Sequence, residues 1–231
     1  MRINKYISET GICSRREADK LLLDKRVTIN GSISEVGSIV RPGDIVKIDN
    51  KPIGNKMKSV YIALNKPTGI ISTTERHVNG NIIDFINYPQ RIFPIGRLDK
   101  DSEGLILLTN DGDIVNKILR SENNHEKEYI VTVNKPINSA FIKGMANGVS
   151  ILGQITKPCV VEGINEKTFR IILTQGLNRQ IRRMSQAFGY RVIKLKRIRI
   201  MNITLKGLKT GEWRYIKEKE LKQLTDLVSR G

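Results

Sequence analysis

Acidic residues alternate along Gly96-Arg97-Leu98-Asp99-Lys100-Asp101-Ser102-Glu103-Gly104-Leu105, which places carboxylates at 99, 101 and 103 just ahead of an apolar run. Carboxylates so placed can hold a cation, act as acid and base, or simply face solvent. A calcium loop of the EF-hand kind is excluded. Its twelfth position would be Asn110 instead of a bidentate Glu, and Leu105 to Leu108 occupy the stretch that should supply oxygens. Two carboxylates working as acid and base on a glycosidic bond remain chemically open, but the spacing singles out none of the three. A second segment, Gln175-Gly176-Leu177-Asn178-Arg179-Gln180-Ile181-Arg182-Arg183-Met184, sets a glycine before a helix whose first turns carry three arginines. Guanidinium groups there suit phosphate contacts whatever the chemistry. A third, Asn65-Lys66-Pro67-Thr68-Gly69, indicates by itself only that the chain turns.

These segments need a scaffold, and the apolar pattern supplies one. Strands are expected at 61–64, 105–108, 129–133 and 169–173, with helices around 112–120, 138–147, 178–188 and 218–229. The acidic turn then feeds a strand, and the arginine segment opens a helix. Irregular interleaving of the two element types predicts an α+β domain over 60–231 with a mixed sheet. Val192 to Ile200 alternates apolar and basic residues like a half-buried strand. Its slip between Lys196 and Arg197 predicts a bulge there. Residues 1–50 read as a separate module. Ile3, Tyr6 and Ile7 share a helical face that Gly11 ends, and Ser14 with Glu17 forms a capping box. The next helix turns Ala18, Leu21 and Leu22 inward and Arg15, Arg16 and Lys20 outward. Asn30-Gly31 suits a type I′ hairpin, and a strand is expected at 45–48. Residues 51–59, with Pro52 and Gly54, read as a linker.

The charge narrows the partner. There are 40 Lys and Arg against 23 Asp and Glu, a net charge of +17. Between Lys167 and Gly211 twelve basic residues occur and no acidic one, whereas the first fifty residues hold nine basic and seven acidic groups. Such a surplus points to a polyanion partner, either nucleic acid or an acidic membrane surface. A membrane surface would need an amphipathic helix with bulky apolar anchors, so RNA is the expected partner. No apolar run approaches the ~18 residues of a membrane span, and no secretory signal is visible at the N-terminus. A cytoplasmic monomer is expected. Cys13, Cys159, His77 and His125 are isolated, so no zinc site is expected. No dinucleotide or P-loop fingerprint occurs. A non-catalytic RNA clamp and an RNA hydrolase both fit the charge, although a clamp leaves the acidic turn unexplained.

The words of the sequence go further. RINKYISETGICSRREADKLL, VTING and RPGDIV resemble the small α-L RNA-binding domain typified by ribosomal small-subunit protein four. NKPTGIISTT, PIGRLDKDSEGLILLTNDGD, HEKEYIVTV and GLNRQIRRM closely resemble the pseudouridine synthases of the small-subunit type, and the likeness spans essentially the whole chain. The resemblance implies isomerisation of uridine in RNA without cofactor or metal. Large-subunit (23S) rRNA, or its precursor, is the implied substrate, with tRNA as a second target. It also implies that Asp99 is the essential aspartate, acting as nucleophile or as base. An unpaired carboxylate in a dry pocket is costly, and the motif match supplies Arg182 as its cation. Tyr129 then packs on the target base and Arg97 holds the flipped conformation. Lys66, Arg179, Ile181 and Arg183 belong to the substrate side, and Arg15, Arg16 and Lys20 contact RNA from the N-terminal module. Asp101 and Glu103 are expected to face solvent.

Overall fold

In the computed structural model, which describes residues 1–54, 56–119 and 124–229, the apolar face of the first module closes as expected. Helices Ile3–Glu9 and Arg15–Leu23 bury Ile3, Ile7, Ala18 and Leu22 against Val27, Val40 and Val46. The capping box is present: Glu17 N–H donates to Ser14 Oγ at 3.1 Å, and Ser14 N–H to Glu17 Oε2 at 2.6 Å. At the hairpin, Asn30 and Gly31 have φ of +50° and +86°, the positive pair a type I′ turn demands. Strands Ser32–Ile33, Val27–Ile29, Val46–Ile48 and Lys51–Pro52 lie side by side in that order. The segment 51–59, expected to be a linker, therefore starts as an edge strand. Pro52 is tolerated there because an edge leaves one side of the strand unpaired. Ile53 N–H donates to Val46 O at 3.0 Å and Met57 N–H to Glu9 O at 3.1 Å. The chain divides into two compact units, Met1–Val60 with Tyr88–Ile92, and Tyr61–Asn87 with Phe93–Gly231.

The second unit is built on one mixed sheet, as the α+β reading requires. Its strands run Val160–Asn165, Thr168–Leu173, Lys127–Val133, Val192–Ile200, Glu103–Thr109, Tyr61–Lys66 and Trp213–Tyr215, with Phe93–Ile95 and Ile203–Thr204 attached to central strands. Val192–Ile200 runs parallel to Glu103–Thr109, and the other strand pairings of this sheet among the described residues are antiparallel. Helices Gly112–Leu119, Ser139–Ala146, Gln180–Ala187 and Glu218–Ser229 fall where the periodicity put them. Leu105 to Leu108 form an unbroken apolar run because both faces of this central strand are covered, and all four residues are fully buried. Leu105 and Leu107 face a core with Ile95, Ile114, Ile118, Ile203 and Leu224. Among the described residues no helix is long and apolar enough to cross a membrane.

The bulge expected between Lys196 and Arg197 is displaced. Register shifts occur between Val192 and Lys194 and again between Arg197 and Arg199. Leu195 and Arg197 therefore share the inner face, and the arginine occupies a slot that an apolar residue would normally fill. Gly104 makes this possible. It lies opposite Arg197 in the parallel pair and has a φ of +111°, and a Cβ there would run into the Arg197 backbone. Gly104→Ala should therefore destabilise the protein by at least ~2 kcal/mol, combining backbone strain with separation of two central strands. Urea unfolding measures this directly. A change below 0.5 kcal/mol, about the spread of ordinary surface substitutions, would show that the strands can part freely.

Candidate active site

The acidic turn is held from two sides. Leu98 N–H donates to Ser72 Oγ at 3.2 Å, and the Ser72 hydroxyl donates to Leu98 O at 2.9 Å. Gly69 N–H donates to Lys100 O at 2.8 Å, so the Asn65–Gly69 turn clasps the loop carrying Asp99. Ser102 N–H closes the turn on Asp99 O at 3.0 Å. Opposite stands the start of helix Gln180–Ala187. Its N-cap residue, Arg179, adopts a left-handed conformation with φ of +50°, a costly choice for a side chain of this size. Its guanidinium lies 3.7 Å from Asp99 Oδ2 and 3.3 Å from Asp101 Oδ2. Arg182, one turn on, is more firmly fixed: Nη1 donates to Val192 O at 3.3 Å, and Nη2 donates to Asp101 O and Ser102 Oγ, each at 3.2 Å. Its Nε is 3.8 Å from Asp99 Oδ2 and is buried without a hydrogen-bond partner among the described residues.

Asp99 faces a cleft of about 650 Å³ whose lining includes Arg97, Tyr129, Ile181, Arg182 and Arg197. Tyr129 is nearly buried, on the strand Lys127–Val133. On the opposite face of that strand Glu128 accepts from Arg170 at 2.7 Å and Arg199 at 2.6 Å, which fixes the strand across its neighbours. Arg197 pairs directly with Tyr129 in the sheet, with its guanidinium carbon 6.0 Å from the ring centroid. One wall of the cleft thus presents a carboxylate between two cations, and Tyr129 contributes to another.

Residues 60–187 match the family described as RNA pseudouridylate synthase, and residues 1–46 match the S4 domain. The chain belongs to the RNA pseudouridine synthases of the small-subunit type. This synthase is 56% identical over 230 residues to the dual-specificity RNA pseudouridine synthase RluF of Escherichia coli strain K12, covering 99% of this chain and 79% of that protein. It is 35% identical to the ribosomal large subunit pseudouridine synthase B of Bacillus subtilis, over 100% of this chain and 98% of that one. A crystal structure of a pseudouridylate synthase superposes with a TM-score of 0.72 at 29% identity, covering 97% of this chain and 99% of the other. The synthase is an isomerase acting on RNA.

The geometry alters several expectations about individual residues. Asp99 is not in a dry pocket, since its side chain is one-third exposed, and it has two arginine neighbours instead of one. Asp101 does more than face solvent, because it shares Arg179 with Asp99, and Glu103 sits 3.7 Å from Lys196. Lys66, expected on the substrate side, is fully buried and outside the cleft lining. Its ammonium donates to Pro67 O and Ile70 O, each at 2.8 Å, and so ties down its own turn. Arg183 also stays out of the lining and folds back on Asn178. Arg97 is exposed and Ile181 buried at the cleft, while Arg15, Arg16 and Lys20 are exposed on their helix in the first unit.

The reading of the sequence missed Arg197 and Lys127. Both line the cleft and both are buried. The slip in alternation near Arg197 was the available signal. Burial first, and then the charge of Arg197, lower the pKa of both Lys127 and Lys66 to about 8. Between about 8 and the ordinary 10.5 the unfolded chain keeps the Lys127 proton that the folded one has lost, so this group adds stability as pH rises through that window. Lys127→Met should therefore unfold later than wild type at pH 7, by up to ~3 kcal/mol, with the gap closing towards pH 10.5. Urea midpoints across this range test it, and a gap that widened with pH would reverse the sign of the argument.

Proposed function

We propose that this synthase isomerises a uridine of large-subunit (23S) rRNA, using Asp99 as its essential group on a base flipped into the cleft. The observation that carries this reading is Asp99 between Arg179 and Arg182 at the cleft wall, with an unpartnered Arg182 Nε aimed near its oxygen. Hydrogen bonds of this kind are often long before substrate arrives and tighten around it. The reaction breaks the uracil N1–C1′ bond, turns the base and joins C5 to C1′. A carboxylate beside the sugar serves either as nucleophile at C1′ or as base toward a C2′ proton. A base stacked in RNA cannot reach Asp99, so the nucleotide must leave its stack. Tyr129 offers a flat face to the extruded base, and stacking tolerates rotation of the ring better than fixed hydrogen bonds do. Arg97, exposed at the cleft, is placed to hold the flipped strand.

The likeness to a large-subunit enzyme of B. subtilis supports the rRNA assignment. The dual specificity named for the E. coli relative favours a second target, which we place in tRNA. Mapping pseudouridines in rRNA and tRNA from cells with and without this gene tests both, and survival of every 23S site in the deletion strain would refute the first. We assign residues 1–50 to RNA positioning, 51–59 to the link and 60–231 to catalysis, in a cytoplasmic monomer. Reversing the charges of Arg15, Arg16 and Lys20 should weaken full-length rRNA binding at least tenfold while sparing turnover of a short stem-loop. Equal losses on both RNAs would contradict this division.

A further inference from the structure

Two buried cations, Lys127 and Arg197, line the cleft, and a third, Lys66, is buried outside its lining. Lys66 is fully buried, Arg197 is 4% exposed and Lys127 is 9% exposed. Among the described residues, backbone carbonyls alone receive their protons. Lys66 donates to Pro67 O and Ile70 O, Lys127 to His125 O at 3.2 Å, and Arg197 to Leu105 O at 2.6 Å and Arg97 O at 3.5 Å. Among the described residues no carboxylate lies within 4.0 Å of any of the three. Arg197 Nη2 is buried with no hydrogen-bond partner among the described residues. Burying unpaired cations together is expensive, and it shows in the lowered pKa values of both lysines, to which the charge of Arg197 contributes. The sheet itself does not require a cation at 197, since Leu195 fills the same face two residues earlier. Asp99, Asp101 and Glu103 partly offset the charge of Lys66 from a distance, whereas the charges of Arg197 and Lys127 at the cleft suit an anion that comes and goes.

The reaction generates one. When the N1–C1′ bond breaks, its electron pair stays with the uracil ring, and the charge spreads over N1, O2 and O4. The new bond forms when C5 of that ring joins C1′. The C5 proton is then lost and N1 gains a proton, so the sum is an isomerisation with no external donor. Between the two bond changes the base is a detached anion that must be kept in place and turned. Asp99 cannot hold it, because a carboxylate repels it. Lys127 and Tyr129 lie two residues apart on one face of their strand, Arg197 stands directly opposite Tyr129, and both cations line the same cleft as Asp99.

We propose that Arg197, with Lys127 beside it, is the anion-holding floor of the site, stabilising and retaining the detached uracil ring while it rotates. The inference rests on the reading of the Asp99 cleft as the reaction centre. A fixed, buried charge suits this task. It needs no reorganisation when the anion appears, and unlike a set of directional hydrogen bonds it does not oppose turning of the ring.

A substituent on the base separates this role from a structural one. Fluorine at C5 withdraws electrons and stabilises the uracil anion by itself. Single-turnover cleavage of the N-glycosidic bond is therefore compared on stem-loops carrying uridine or 5-fluorouridine, at saturating enzyme. Arg197→Gln should slow the uridine substrate by about 100-fold and the fluorinated one by tenfold or less, and Arg197→Lys should restore most of the rate on uridine. Lys127→Met, which leaves the Arg197–Leu105 strand contact untouched, should show the same crossover on a smaller scale even if Arg197→Gln does not fold. Equal losses on the two substrates in both variants, or no loss in either, would overturn the proposal. Asp99→Asn in the same assay tests the underlying reading. If it stays active the cleft is not the reaction centre, whereas an inactive Asp99→Asn with no crossover at Arg197 and Lys127 removes this inference alone.

Discussion

Asp99→Asn should abolish isomerisation and leave RNA binding close to that of the wild type. The substitution keeps the shape of the side chain and removes its charge, so both proposed roles, nucleophile and base, disappear together. Single-turnover rates at saturating enzyme should fall by at least ~10⁴-fold, the upper range for loss of a group that takes part in the bond changes. The neighbouring acids provide the contrast. Glu103 faces Lys196 at 3.7 Å, away from both arginines, so Glu103→Gln should stay within about threefold of wild type. Asp101 shares Arg179 with Asp99, and its backbone carbonyl anchors Arg182. Asp101→Asn keeps that carbonyl and loses the pairing of an exposed carboxylate with Arg179 at 3.3 Å and Arg182 at 4.0 Å, which predicts a loss of about tenfold or less. Wild-type turnover by Asp99→Asn, together with a dead Asp101→Asn, would move the essential carboxylate to 101.

Much of this architecture was legible because it is local. The capping box at Ser14 and Glu17, the Asn30-Gly31 hairpin and the apolar run at Leu105 to Leu108 each follow from residues close in sequence. Spacing alone could not choose among Asp99, Asp101 and Glu103. That choice came from the family motif, and the contacts that distinguish the three depend on a helix some eighty positions away. Charge was the least faithful guide. The acid-free stretch from Lys167 to Gly211 reads as an RNA-facing surface, yet Arg170, Lys196 and Arg199 pair with carboxylates and Arg197 is buried. Arg197 is turned inward by a strand order that pairs its strand with Glu103–Thr109 on one side and Lys127–Val133 on the other, a consequence of topology that no local window contains. Lys66 is hidden for a related reason: its turn folds under the Asp99 loop and takes the ammonium with it.

Arg182→Ala should cost about 10³-fold in single-turnover rate, with RNA affinity reduced far less. The reason lies in what Arg182 holds as well as in its charge. Its Nη2 ties Asp101 O to Ser102 Oγ, its Nη1 reaches Val192 O, and its Nε waits 3.8 Å from Asp99. Alanine frees the acidic turn from its opposite wall and removes the donor that would orient the Asp99 carboxylate. Arg179 remains 3.7 Å away but is more exposed and is shared with Asp101, so it can compensate only in part. Arg182→Lys should regain about tenfold, since an ammonium can reach one of these partners but cannot reproduce the planar fork that serves several at once. Arg179→Ala should cost less than Arg182→Ala. The two losses should combine non-additively, because each arginine partly covers for the other at the same carboxylate. Double-mutant rates near the Asp99→Asn level are expected. An Arg182→Ala enzyme with wild-type single-turnover rates and weakened RNA binding would show instead that this arginine grips the RNA backbone and leaves Asp99 to orient itself.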